Sequence, residues 1–148
     1  LLLKDSILAN EESDAENKMI DFLIAFEALC LPERDKLTYR LANRVAILLG
    51  KEDAEAERTR KFMAKAYDLR SDIVHGKDVR PIKIEGKTIE LNNFVQRVEG
   101  YLRESLKSFI ALSKRYRNQQ RVLALLDKSL IDMKSRRKLH KMLRHARA

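Results

Sequence analysis

Apolar residues recur at three-and-four spacing in a series of stretches along this chain, the pattern of helices that bury one face. The first predicted helix starts at Ser13 and Glu16, a capping box in which hydroxyl and carboxylate each accept a free backbone N–H. It continues through Ala15, Met19, Phe22, Leu23, Phe26, Leu29 and Cys30, and Pro32 ends it. The second is predicted from Asp35 as N-cap over Leu37, Leu41, Val45, Leu48 and Leu49, with Gly50 as a left-handed stop. A third begins at Asp53 with polar turns, gains a core face from Phe62 to Val74, and closes at Gly76. The fourth keeps one face from Leu91 to Tyr116, roughly 40 Å of helix. Gly100 lies inside it, where glycine costs about 1 kcal/mol against alanine, and close helix approach is the expected reason.

The helical period lapses between the third and fourth stretches. Pro81 to Ile89 alternates around Gly86, which predicts a small hairpin in a loop beside the end of the third helix. After residue 118, Val122, Leu123, Leu126, Leu130 and Met133 form a further amphipathic segment, and Leu139, Met142 and Leu143 extend it. The fold expected is all-α: an up-and-down four-helix bundle over residues 13–118 with an additional basic helical segment over 119–148. Residues 1–12 are weakly patterned and read as the frayed remnant of an upstream helix. A chain that opens on Leu1 rather than Met is expected to be a piece of a longer protein.

Composition narrows the class. At 148 residues, 45% hydrophobic and 36% charged, with four glycines and two prolines, the chain can bury one core and has no disordered character. Its apolar runs are too short to span a bilayer. Cys30 has no partner for a disulfide, which places it in the core and suggests a reducing, cytoplasmic setting. Lys114 to Ala148 carries twelve Lys/Arg against two Asp/Glu, while the preceding 113 residues carry nineteen against twenty. The whole net charge of +9 therefore comes from the last 35 residues. Arg136-Arg137-Lys138 is a dense basic run and a candidate contact for a polyanion, RNA if the chain acts on RNA; a solvated basic helix is the other reading. Glu27 and Arg44 each lie beside an apolar stripe and are expected to form a structural ion pair.

Most catalytic templates find no support. No glycine-rich phosphate loop is present, and one cysteine excludes a cysteine-rich zinc site. His140 and His145 are five apart rather than the four that aligns two ligands on a helix, so no metal is expected. What remains is Tyr67-Asp68-Leu69-Arg70-Ser71-Asp72-Ile73-Val74-His75-Gly76. Arg70 and His75 crowd a helix end, with Asp72 three residues before the histidine to orient its ring. An imidazole near neutrality suits RNA cleavage, which needs a base at the 2′-OH and an acid at the 5′-oxygen. An arginine fork suits the charge that develops on the phosphorus between them. The same residues also fit a dipole-compensating arginine and an ordinary helix C-cap.

The string Y-D-L-R-S-D-I-V-H-G at the end of the third helix resembles the HEPN superfamily, and within it the Apea-like branch. F-E-A-L in the first helix, R-V-A-I-L-L-G at the end of the second, and a long fourth helix extend the likeness over about residues 14 to 117. The resemblance implies a four-helix bundle that pairs as a homodimer. It implies a metal-independent endoribonuclease needing no cofactor, with the motifs of two chains meeting across the dimer. Arg70 would bind the scissile phosphate and His75 would act as base or acid, supported by Tyr67, Ser71 and Asp72. Ser71 stands where many family motifs place a larger polar residue. Some members of the family are non-catalytic and serve RNA binding or dimerisation. An antitoxin or an upstream effector domain, in a defence or toxin system, is the further partner that the likeness implies.

Overall fold

Helices that carry apolar stripes must share them, and the computed structural model, which describes residues 2–33 and 35–147, shows how. The order is α1 (Leu2–Cys30), α2 (Leu37–Leu49), α3 (Asp53–Val74), β1 (Ile82–Ile84), β2 (Lys87–Ile89), α4 (Leu91–Tyr116), α5 (Gln119–Ser129) and α6 (Met133–Arg147). Among the described residues the fold is helical apart from one antiparallel hairpin, in which Ile82 faces Ile89 and Ile84 faces Lys87. Its turn residues Glu85 and Gly86 both have positive φ, as a two-residue loop of type I′ needs to match the strand twist. The hairpin is more than a loop: Ile82 is buried in the core.

Met19, Leu23 and Phe26 from α1 bury against Leu41, Val45 and Leu48 from α2, Met63 and Leu69 from α3, and Phe94, Val98 and Leu112 from α4. Phe62 stacks on Phe94 with ring centroids 4.7 Å apart. The same cluster takes in Val122 and Leu126 from α5 and Leu139 and Leu143 from α6. The core thus continues past residue 118 into α5 and α6. Residues 119–147 dock their apolar stripe on the rest, with most of their charge on the outer side and Arg136 turned inward.

Several local expectations change. The Ser13–Glu16 box starts nothing, because α1 is already helical from Leu2 and the backbone N–H groups there have partners in the helix. Leu2, Leu3, Lys4, Leu8, Ala9, Glu11 and Glu12 are good helix formers, and propensity carries the helix through. Leu1 and Ala148, the outer ends of the two terminal segments, lie outside the described residues. Lys36, in the left-handed region, holds the N-cap position of α2 in place of Asp35. Glu52 replaces Asp53 at the N-cap of α3. Gly50 is extended (φ −80°) rather than left-handed. It is needed for a different reason: a Cβ there would sit 2.5 Å from the Ala56 Cα, where α2 meets the first turn of α3.

Gly100 has no such reason, since a Cβ would meet nothing within 4 Å. Gly100→Ala is accordingly expected to stabilise the protein by about 1 kcal/mol, a rise in Tm of roughly 2–4 °C by calorimetry. An unchanged or lower Tm would show that the glycine serves some contact outside this chain.

Arg44 is the principal buried charge, only 2% exposed. Its guanidinium donates to the Cys30 carbonyl at 2.6 Å, to both Glu33 carboxylate oxygens at 2.7 Å and to both Asp127 oxygens at 2.9 Å. That arrangement corrects the expected Glu27–Arg44 pair: the fork of Arg44 is filled by other acids. Cys30 is buried beside it, as expected, and burial pushes its thiol up to about 12 against the smaller opposing effect of Arg44.

Candidate functional site

The Tyr67–Gly76 stretch forms the last two turns of α3 and the cap beyond them. The Gly76 N–H bonds the Ile73 carbonyl at 3.0 Å and the Lys77 N–H bonds the Asp72 carbonyl at 2.9 Å. These are the two bonds of a Schellman cap, and Gly76 supplies the left-handed residue it requires, at φ 70°. His75 is the C-cap (φ −84°, ψ 5°), and its N–H bonds the Ser71 carbonyl at 3.1 Å. The chain's own turn thus satisfies the helix end without using the imidazole. The ring is exposed and has no hydrogen bond or ion pair with another described residue.

Arg70 lies five residues earlier and is half-buried. Its Nη1 is 3.6 Å from Glu27 Oε1 on α1, so the predicted acid at position 27 does find a cation, on α3 rather than α2. Arg70 Nε is buried and has no acceptor among the described residues. Tyr67 faces the same carboxylate: burial, and then the Glu27 charge, raise its phenol above the usual range. The phenol is therefore a neutral hydrogen-bonding group beside the pair at physiological pH.

Two supporting roles read from the sequence do not appear in this arrangement. Asp72 is 3.7 Å from Lys77 Nζ, so its carboxylate is engaged beyond the cap rather than on the His75 ring. Ser71 contributes its backbone carbonyl to the cap. Conversely, Glu27 joins the site, and its signal in the sequence was an acid beside an apolar stripe. On the flanks, Ile24 sits one turn from Glu27 along α1 and Val74 one turn from Arg70 along α3. They are 49% and 55% exposed, apolar side chains without full cover, each one turn along its helix from the ion pair.

The basic run divides. Arg136 is only 9% exposed, and its Nη1 donates to Asp53 Oδ1 at 2.6 Å, pinning α6 to the start of α3. It is thus a structural residue rather than an RNA contact, because α6 turns it inward beside Leu139. Arg137 and Lys138 face solvent. His140 is half-buried, whereas His145 is exposed. Among the described residues no group of three or more His, Cys, Asp or Glu is placed to hold a metal ion, and no helix is long and apolar enough to cross a membrane.

No protein-family model matches the chain, and neither a curated protein nor a solved structure is found to be similar to it.

Proposed function

We propose that this chain is a HEPN-type endoribonuclease in which two copies complete the site, with α1 to α4 as the family's four-helix bundle. The observation that carries the reading is the contrast between two side chains. His75 is presented to solvent by a cap that does not need it, while Arg70 is held in place by Glu27 with Nε unused. A free imidazole can exchange protons with a substrate, and an oriented guanidinium can receive a phosphate. In this scheme His75 takes the proton of a 2′-OH. The oxygen attacks the adjacent phosphorus, Arg70 steadies the charge on the phosphoryl oxygens, and the 5′-oxygen leaves with a proton from the partner's His75. The products are a 2′,3′-cyclic phosphate and a 5′-hydroxyl. Arg137 and Lys138 offer exposed charge for the RNA backbone.

Pairing is part of the proposal. An unbroken helix would separate Arg70 from His75 by about 140° around its axis, a demand that a second chain relaxes. Ile24 and Val74 give the pairing face an apolar rim around the site. Light scattering behind size-exclusion chromatography is expected to give the mass of two chains at micromolar concentration. Ile24→Glu or Val74→Glu is expected to give the mass of one and to remove cleavage with it. A wild-type monomer would end the composite site.

The second reading is a non-catalytic HEPN module for RNA binding or dimerisation. It draws on Glu27, which already balances the Arg70 charge, and on Asp72, which faces Lys77 instead of the imidazole. An RNA cleavage assay in EDTA, wild type beside His75→Ala, separates the two.

A further inference from the structure

Away from the Arg70–His75 end, the last turn of α2 and the face of α6 line an open-sided cavity of about 470 Å³, a size typical of small-molecule sites. Its apolar side is aliphatic: Leu48 and Leu49 from α2, Met133 and Leu143 from α6. Its polar side is entirely cationic or imidazole, with Lys51, Arg137 and Arg144 around Arg136 and His140, and no carboxylate in the lining.

Two atoms in that wall are electrostatically incomplete. Arg136 spends Nη1 on Asp53, but its Nη2 is buried and has no acceptor. His140 Nε2 is likewise buried without a partner. Burial, then the charges of Arg136 and Arg144, push the imidazole below its usual range against a smaller opposing pull from Glu55 and the Ile47 carbonyl. A buried guanidinium N–H with no acceptor is costly, and so is a cluster of four Lys/Arg with only Asp53 and Glu55 behind it. An anion in the cavity would relieve both.

We propose that this cavity binds a single-chain amphiphilic anion, an aliphatic body with a phosphate or carboxylate head. The head would meet Arg136, with Arg137, Arg144 and Lys51 screening its charge, and the chain would lie on Leu48, Leu49 and Leu143. The lining favours an aliphatic body over a nucleobase because its apolar side is aliphatic and holds no Phe, Tyr or Trp on which a base could stack. The head group is defined by charge and hydrogen bonding alone, so alkyl phosphates and alkyl carboxylates share the site.

Isothermal titration with decyl phosphate, below its micelle concentration, tests the proposal against decanol and inorganic phosphate. Saturable one-to-one binding is expected for decyl phosphate, with each of the other two at least tenfold weaker. Arg136→Gln is expected to weaken decyl phosphate roughly tenfold, the scale of a lost charge-assisted hydrogen bond. Because that variant also loses the Asp53 contact, the exposed Arg144→Gln serves beside it and should weaken the same ligand several-fold with an unchanged melting curve. Decanol binding should be unaffected by either. No binding of decyl phosphate, equal binding of decanol or of inorganic phosphate, or full affinity in Arg144→Gln would each overturn the site. His75→Ala is expected to leave the titration unchanged, so the outcome stands apart from that of the ribonuclease reading.

Discussion

Replacing His75 with alanine is expected to lower RNA cleavage in EDTA by roughly 10²–10⁴-fold, the span that general acid–base groups contribute. Replacing Arg70 with alanine is expected to cost about 10²–10³-fold, the scale for one donor to a developing oxyanion. The histidine variant is the cleaner of the two. Its ring is exposed and the α3 cap is made by backbone groups of Ser71, Ile73 and Asp72, so stability should change by no more than about 0.5 kcal/mol. Arg70→Ala also strips Glu27 of its partner, and the two half-buried side chains make a retained Tm the necessary control. Gel analysis of a labelled single-stranded RNA, with all proteins purified alike, gives the readout. Cleavage at equal rates by wild type and both variants would assign it to a contaminant and remove the reading. An inactive wild type that still retains RNA would leave the non-catalytic module.

The stripes were legible because burial depends on periodicity, and periodicity is written in the residue order. Met19, Leu23 and Phe26, or Phe94, Val98 and Leu112, are in the core for the reason that made them visible. The α3 terminus was legible too, since Gly76 is the residue that a left-handed cap selects. What the sequence did not disclose was which charges meet. Glu27 and Arg44 both lie beside apolar stripes, but a stripe fixes a face and not its opposite number. Arg44 went to Glu33, just past the end of α1, and to Asp127, 83 residues on. Asp127 was one of only two acids in a basic segment, a hint that net charge averaged away. Arg136 was misread by the same averaging: in a run of three cations, helical phase turns one inward and leaves two outside. Capping signals were the least transferable, because Ser13, Asp35 and Asp53 have the right chemistry at places where the backbone does not need them.

Arg44→Met is expected to destabilise the protein by about 3–5 kcal/mol, the scale for removing one partner of a buried ionic contact. Against the roughly 5–15 kcal/mol that holds such a domain together, that is a large fraction. One guanidinium ties the end of α1, the loop before α2 and the helix α5, and methionine can fill its volume without satisfying the Cys30 carbonyl. Arg44→Lys is expected to recover only part of the loss, since a point charge cannot serve two carboxylates bidentately. The pH dependence supplies a second signature. The hydrogen bond from Arg44 holds the Glu33 carboxyl down at about 2 in the folded chain, whereas an unfolded glutamate titrates near 4.3. A depressed carboxyl contributes stability that is complete above the unfolded value and is lost as pH falls through the folded one. Wild-type stability should therefore decline between about pH 5 and pH 2 through this group, and the decline should be smaller in Arg44→Met, where Glu33 keeps no buried cation. Urea unfolding followed by circular dichroism at pH 7 and pH 3 measures both effects. A difference between wild type and variant that is as large at pH 3 as at pH 7 would show that Arg44 acts through packing, and that the carboxylates it gathers contribute little.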